Sequence, residues 1–178
     1  MTGFSLDFND TMSGAIKDGT YECLIVHAQE DVNKNGKELV QFRLIVRNDI
    51  QQQEHKNQMI FEDRYPNGQT GKHYMPYFNT VGKAAGLQAG KTYRSMQELL
   101  NDYLQKPVKV TVKNETSDYN NKTYENLNIK SWEPTDFPNV QHVHKNKDNG
   151  GNSAPQTQQQ DPFAGGGPIT VDDSDLPF

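Results

Sequence analysis

The sequence predicts a mainly β protein: a five-stranded Greek-key barrel with helices between its third and fourth strands, followed by a disordered tail. Three observations predict this architecture. Five segments show strand-like alternation or enrichment in β-formers, and the stretch between the third and fourth changes to the helical period. Across residues 149–171 the chain turns to Gly, Pro, Gln, Asn, Ser and Thr, with Phe163 the only aromatic. Such a composition cannot bury enough surface to offset the entropy of ordering. An apolar share of 33% and a mean hydropathy of −0.92 describe one core diluted by a polar segment.

Residues 1–18 hold apolar side chains without period and read as an N-terminal arm, ended by the turn signal Asp18-Gly19. Strand one covers residues 21–29, where Tyr21, Cys23, Ile25 and Val26 are β-formers, and Cys23 reads as a buried filler. Asn35-Gly36, inside the polar connection 33–37, tolerates positive φ and suits a tight hairpin into strand two at 39–46. There Val40, Phe42, Leu44 and Val46 share one face, while Gln41, Arg43 and Arg47 share the other with Leu39 and Ile45. Strand three covers 59–65 and ends at Pro66-Asn67-Gly68. Pro76 suits a first helical turn, and Phe78, Val81 and Ala85 repeat at helical spacing up to Gly86. The second helix opens on the capping-box pair Ser95 and Glu98. Its apolar stripe is Met96, Leu99, Leu100, Tyr103 and Leu104, stopped by Pro107. Val108, Val110 and Val112 alternate with Lys109, Thr111 and Lys113 as strand four. A polar loop carrying Tyr119 and Lys122 leads to strand five at 124–132, where Leu127 and Ile129 face one way and Asn126, Asn128, Lys130 and Trp132 the other.

That order, β-β-β-α-α-β-β, is the order of the oligonucleotide/oligosaccharide-binding (OB) barrel, and it sets the domain at residues 19–140. In such barrels nucleic acid crosses strands two and three, gripped by the hairpins between strands one and two and between strands four and five. Lys34 and Lys37 fall in the first hairpin, Arg43 and Arg47 on strand two, and Phe61, Arg64 and Tyr65 on strand three. Lys113, Tyr119, Lys122 and Tyr124 fall in the second hairpin. Cations interleave with aromatics, as a single strand requires: Lys and Arg neutralise phosphates while unpaired bases stack on flat rings, at about 1–3 kcal/mol per base. For each strand residue the competing reading is a core aromatic or a solvated cation; loop placement removes the core reading from Lys34, Lys37 and Tyr119.

The chain closes on Asp172-Asp173-Ser174-Asp175-Leu176-Pro177-Phe178, after a linker expected over 141–171. This arrangement resembles the C-terminal tips of bacterial single-stranded DNA-binding proteins, which end in a run of Asp, an apolar residue, Pro and Phe. The resemblance implies docking of replication and recombination proteins. The Phe178 ring would enter an apolar pocket, its carboxylate would meet a basic residue, and Asp172, Asp173 and Asp175 would lie along a basic rim beside Leu176 and Pro177. The competing reading is an acidic, solubilising end.

The remainder is similar to a narrower family. Asn33-Lys34-Asn35-Gly36-Lys37-Glu38, Gly82-Lys83-Ala84-Ala85-Gly86-Leu87, Lys106-Pro107-Val108-Lys109-Val110-Thr111-Val112 and Phe137-Pro138-Asn139-Val140 resemble a phage-encoded family often known only as domains of unknown function. Its members accompany phage replication and recombination genes and are taken as single-stranded DNA-binding proteins. The resemblance covers roughly residues 19–140 plus the tip. It implies sequence-independent binding and protection of single-stranded DNA, a phage or prophage origin, and work in the bacterial host cytoplasm.

Charge bears on this expectation. Residues 1–147 hold all 18 Lys and Arg and 18 of the 23 Asp and Glu, so the five acids of residues 148–178 carry the whole net charge of −5. A neutral domain binds nucleic acid only if its cations gather on one face. No stretch approaches the roughly 20 apolar residues of a membrane span, and no signal peptide opens the chain, so a soluble protein without a membrane partner is expected. No nucleophile elbow, phosphate loop or paired-cysteine motif appears, so no enzyme, cofactor or metal is expected. A nuclease metal site from Glu62 and Asp63 with His27, His55 or His73 is disfavoured because adjacent strand residues point to opposite faces. His142 and His144 sit beside the tail as a solvated pair. A second reading is an interaction protein whose barrel binds no DNA and whose tip occupies host partners. A homo-oligomer is possible, and no heptad pattern selects its size.

Overall fold

Strand-forming residues dominate five stretches of residues 14–144, the part of the chain that the computed structural model describes, and the five pair antiparallel in one sheet. The strands are β1 (Gly19–Val32), β2 (Glu38–Val46), β3 (Met59–Arg64), β4 (Pro107–Tyr119) and β5 (Lys122–Pro134), in spatial order β3-β2-β1-β4-β5. Helices α1 (Met75–Ala84) and α2 (Met96–Tyr103) lie between β3 and β4 in the chain, so the protein is mainly β with the expected element order. The chain divides into a unit over Met1–Val143 and another over His144–Phe178. The tip residues Asp172, Asp173, Asp175, Leu176, Pro177 and Phe178, and the linker from residue 145 on, lie outside the described residues. Among the described residues no helix is long and apolar enough to cross a membrane.

The core forms where the inward faces of β1, β2 and β4 meet the two helices. Phe42 is its centre: it is fully buried, and the rings of Tyr77, Phe78, Tyr103 and Trp132 surround it at centroid distances of 5.9–6.2 Å. Their tilted and edge-on arrangements suit the ring quadrupoles. Both helix boundaries follow local chemistry. Past α1, Gly86 takes φ +70°, and the bonds Leu87 N–H to Gly82 O (2.9 Å) and Gly86 N–H to Lys83 O (3.2 Å) complete a Schellman cap. At α2, Ser95 Oγ accepts from the Glu98 N–H at 3.2 Å, and Glu98 reaches back to the Arg94 N–H at 2.7 Å. The reciprocal bond lands one residue before the cap, a variant of the expected box.

Three expectations need correction. Tyr119 and Lys122 are not in a loop: β4 and β5 run on as a long ribbon to the two-residue turn Asn120-Asn121, whose φ values of 50° and 59° suit a type I′ hairpin. Trp132 does not face away with Lys130. A bulge shifts the β4–β5 register between Thr111 and Val112, leaving Lys130 without a ladder partner, so Trp132 joins Ile129 in the core. Leu104 leaves the apolar stripe because it is already extended, and it is exposed. The described ends of the arm and the linker contact the domain: Ile16 is buried, the Gln141 N–H donates to Asp49, the Asn48 N–H to His142 Nδ1 and the Val143 N–H to Asn48 Oδ1.

The two sheet edges, β3 and β5, approach each other. Among the described residues no backbone ladder joins them. Side chains do so instead: buried Glu62 on β3 lies against the Ile129 N–H of β5, and Arg64 stacks on Tyr77 of α1, whose ring meets Trp132 of β5 edge-on at 6.2 Å.

Candidate functional site

Alternation along β3 sends Phe61 and Asp63 outward and Ile60 and Glu62 inward, and Tyr65, one residue past the strand, is exposed as well. Phe61 is 60% exposed, large for a strand aromatic. Cross-strand pairing sets Arg43 of β2 beside it, with the guanidinium carbon 4.9 Å from the ring centroid and Nη1 donating to Asp63 at 2.8 Å. Arg43 thus forms the cationic backing of an exposed ring, its charge shared with a half-exposed carboxylate. Tyr65, 51% exposed, continues this row toward the β1–β2 turn. There Asn33 Oδ1 accepts from the Asn35 and Lys37 N–H groups while Asn33 Nδ2 lies 3.4 Å from the Tyr65 hydroxyl. The Asx turn therefore presents exposed Lys34 and Lys37 at the end of β3.

The β4–β5 ribbon gathers the second group. Residues directly opposite in an antiparallel pair share a face. The pairs Lys113–Asn128, Ser117–Tyr124 and Tyr119–Lys122 therefore place Lys113, Tyr119, Lys122 and Tyr124 on one face. Tyr119 is 68% exposed and Tyr124 45%. Among the described residues, none of the ion pairs includes Lys34, Lys37, Lys113 or Lys122.

Between edge strand β3 and the base of this ribbon lies an open cleft of about 1160 Å³. Phe61 and Arg64 line one wall, and Asn126, Asn128 and Lys130 the other. The cleft is electrostatically mixed. Arg64 pairs with Glu62, and Lys130 pairs with Glu115, which also accepts from Asn128 at 2.7 Å. Burial pushes the Glu62 carboxyl above the usual carboxylate range, against the opposing pull of Arg64 and the Ile129 N–H. Lys130 and Asn128 hold Glu115 below its ordinary value.

Of the residues singled out in the sequence, the cleft brings Phe61 and Arg64 together with the ribbon base, and Arg43 backs Phe61 from behind. Lys34, Lys37 and Tyr65 extend the surface at one end; Lys113, Tyr119, Lys122 and Tyr124 extend it along the ribbon. Arg47 is a correction. Its side chain is fully buried, held by both oxygens of Asp49 and by the Phe137 and Asn139 carbonyls, so it cannot face a ligand. Strand periodicity sent it outward, but it lies one residue past β2, where the chain turns under the post-β5 segment. Lys130, Asn126 and Asn128 were missed as site residues, although the alternation of strand five had already put them on an outward face.

Glu62 and Asp63 point to opposite sides, one buried beside Arg64 and the other bonded to Arg43. Among the described residues no group of three or more His, Cys, Asp or Glu is arranged to hold a metal ion. Cys23 is fully buried, and burial pushes its thiol far up, away from the reactive thiolate.

A family model described as "Protein of unknown function (DUF669)" matches residues 5–152. No curated protein matches the chain.

Proposed function

The chain belongs to the DUF669 family of proteins of unknown function, and we propose that in this member the domain is an OB-type barrel that binds single-stranded DNA without sequence preference. The strand order β3-β2-β1-β4-β5, with the helices before β4 and the edges bridged by side chains, supports the barrel. One observation carries the binding: an open cleft with an exposed Phe61 backed by Arg43, prolonged by a ribbon face of Lys113, Tyr119, Lys122 and Tyr124. Rings for bases and cations for phosphates, without a rigid array of base-edge readers, suit a strand of any sequence. In this reading the protein protects single strands during phage replication or recombination in the host cytoplasm, and the tip of residues 172–178 recruits partner proteins.

Titrating fluorescent oligonucleotides at low and moderate salt tests the reading. Single strands are expected to bind more tightly than duplexes, with affinity falling steeply as salt rises. No binding at low salt would sink it. Deleting residues 148–178, which carry the −5 charge, is expected to tighten binding if the tail competes for the cationic face; unchanged affinity would refute the competition.

The acidic side chains in the cleft favour the second reading. Glu62, Asp63, Glu115 and Glu125 line the same walls, as they would in an interaction protein that uses the cleft for a basic peptide. Binding of basic peptides with no binding of oligonucleotides would select it.

A further inference from the structure

The described part of the N-terminal arm starts inside the cleft. Gly14 and Ile16 line it together with Met59 of β3 and Leu127 of β5. Two side chains hold the backbone there: Gln58 Nε2 donates to the Gly14 carbonyl at 3.0 Å, and Asn114 Nδ2 to the Ile16 carbonyl at 2.9 Å. The chain before Gly14 therefore departs from the space between the two sheet edges, next to the first residue of β3.

Both walls of that space offer backbone. β3 and β5 are the edges of the sheet, and in an edge strand every second residue turns its N–H and C=O away from its neighbour. Each strand in the order β3-β2-β1-β4-β5 is antiparallel to the next, so β3 and β5 run in the same direction. Joining them directly takes a parallel pair, the slightly weaker kind. A segment running back from Gly14 along β3 is instead antiparallel to both edges.

The arm has the sequence of such a segment. Residues 1–18 as a whole keep no single apolar period, but Phe4, Leu6 and Phe8 alternate with Ser5, Asp7 and Asn9, and Met12 falls in the same phase. β3 is 6 residues long, about 20 Å, and residues 8–13 match that length. On the cleft walls Met59 and Leu127 are half-buried and Phe61 is exposed, an apolar seat for one row of the alternating side chains. The family match opens at residue 5 and so takes in Leu6, Phe8 and Met12.

We propose that residues 4–12 lie in the cleft as a sixth strand, antiparallel to the free edge of β3, and that a single strand of DNA enters only when this arm leaves. The competition rests on the reading of the cleft as a single-strand site; the docking of the arm does not.

Full-length protein with Ser5→Cys is spin-labelled at that cysteine, since Cys23 is fully buried and does not react. In the free protein the label is expected to broaden the amide signals of Met59–Arg64 and of residues 126–128. Absence of broadening along β3 overturns the docking. Broadening in a mixture of labelled, isotopically silent protein with unlabelled, isotopically visible protein also overturns it, because the arm then sits on a second copy. Saturating oligothymidylate is expected to abolish the broadening; broadening that persists with the oligonucleotide bound overturns the competition. Leu6→Ser combined with Phe8→Ser keeps the net charge and every described residue. It is expected to tighten oligothymidylate binding about 3- to 10-fold, as for a site open about 10–30% of the time, and unchanged affinity overturns the competition. If no oligothymidylate binds, the single-strand reading fails by itself, and the broadening along β3 alone supports or overturns the docking.

Discussion

Replacing Arg47 with alanine is expected to destabilise the domain by about 3–5 kcal/mol, the range for removing one partner of a buried ion pair. The guanidinium is fully buried and grips Asp49 bidentately, Nε to Oδ1 at 3.0 Å and Nη2 to Oδ2 at 2.6 Å. It also donates to the Phe137 carbonyl at 2.7 Å and the Asn139 carbonyl at 3.2 Å. Truncation therefore leaves a carboxylate, 8% exposed, without its counter-charge and two carbonyls without their donor. Domains of this kind have only about 5–15 kcal/mol in total, so the loss should be large in a urea unfolding curve. A midpoint shift worth less than about 1 kcal/mol would contradict it. Arg47→Lys is expected to rescue little, because a point charge cannot fork to both oxygens and reach the carbonyls as well.

The same pair sets an acid limit. The Asp49 carboxyl is held at about 2, below its ordinary 3.8, first by the hydrogen bonds from Arg47 and also by the Gln141 N–H. A carboxyl whose folded pKa lies below its unfolded one binds protons more weakly in the folded state. Its contribution to stability is thus complete above about pH 4 and lost as pH falls toward 2. Asp49→Asn is expected to flatten the acid limb of stability against pH in that window, measured by urea unfolding at stepped pH; an unchanged limb would assign the acid sensitivity elsewhere.

Phe61→Ala and Tyr119→Ala are each expected to weaken oligonucleotide binding by about 1–3 kcal/mol, roughly 5- to 150-fold, and the double variant by more than either. The rings are 60% and 68% exposed, so little core packing is lost and the unfolding midpoint should move by less than about 0.5 kcal/mol. Affinity falling while stability holds separates a binding ring from a structural one. Retention of full affinity in the double variant would remove the cleft and the ribbon from the binding surface. Arg47→Ala makes the opposite pattern, a stability loss without a direct binding contact.

Local chemistry explains which parts of this molecule could be read from sequence. The cap of α2 at Ser95, the Gly86 end of α1 and the Val108-Val110-Val112 alternation depend on neighbouring residues, and each appears where its pattern placed it. The failures depend on distant partners. A bulge opposite Thr111 and Val112 turned Trp132 inward, and no pattern within β5 announces it. Arg47 is buried by residues about 90 positions further along the chain. The outer part of the ribbon, residues 114–123, reads as a loop in sequence because it is largely polar on both faces, so alternation carries no signal there. Only Asn120-Asn121, a dipeptide that tolerates positive φ at both positions, marked the turn. The turn at Asn33 was legible from its Asn-Gly pair and the outward side of Arg43 from the alternation of strand two, whereas the exposure of Phe61 and Tyr65 was not, because strand three does not alternate cleanly in sequence. The pairing of Arg43 with Asp63 and of Lys130 with Glu115 crosses strands and depends on a register that no local pattern announces.

A sheet closed by backbone ladders all the way round has a girth fixed by strand number and stagger. Between β3 and β5 the contacts are instead those of the side chains Glu62, Arg64 and Tyr77. Substitution at any of these three positions can widen or narrow the opening while the ladders of β1 with β2 and β4 stay intact.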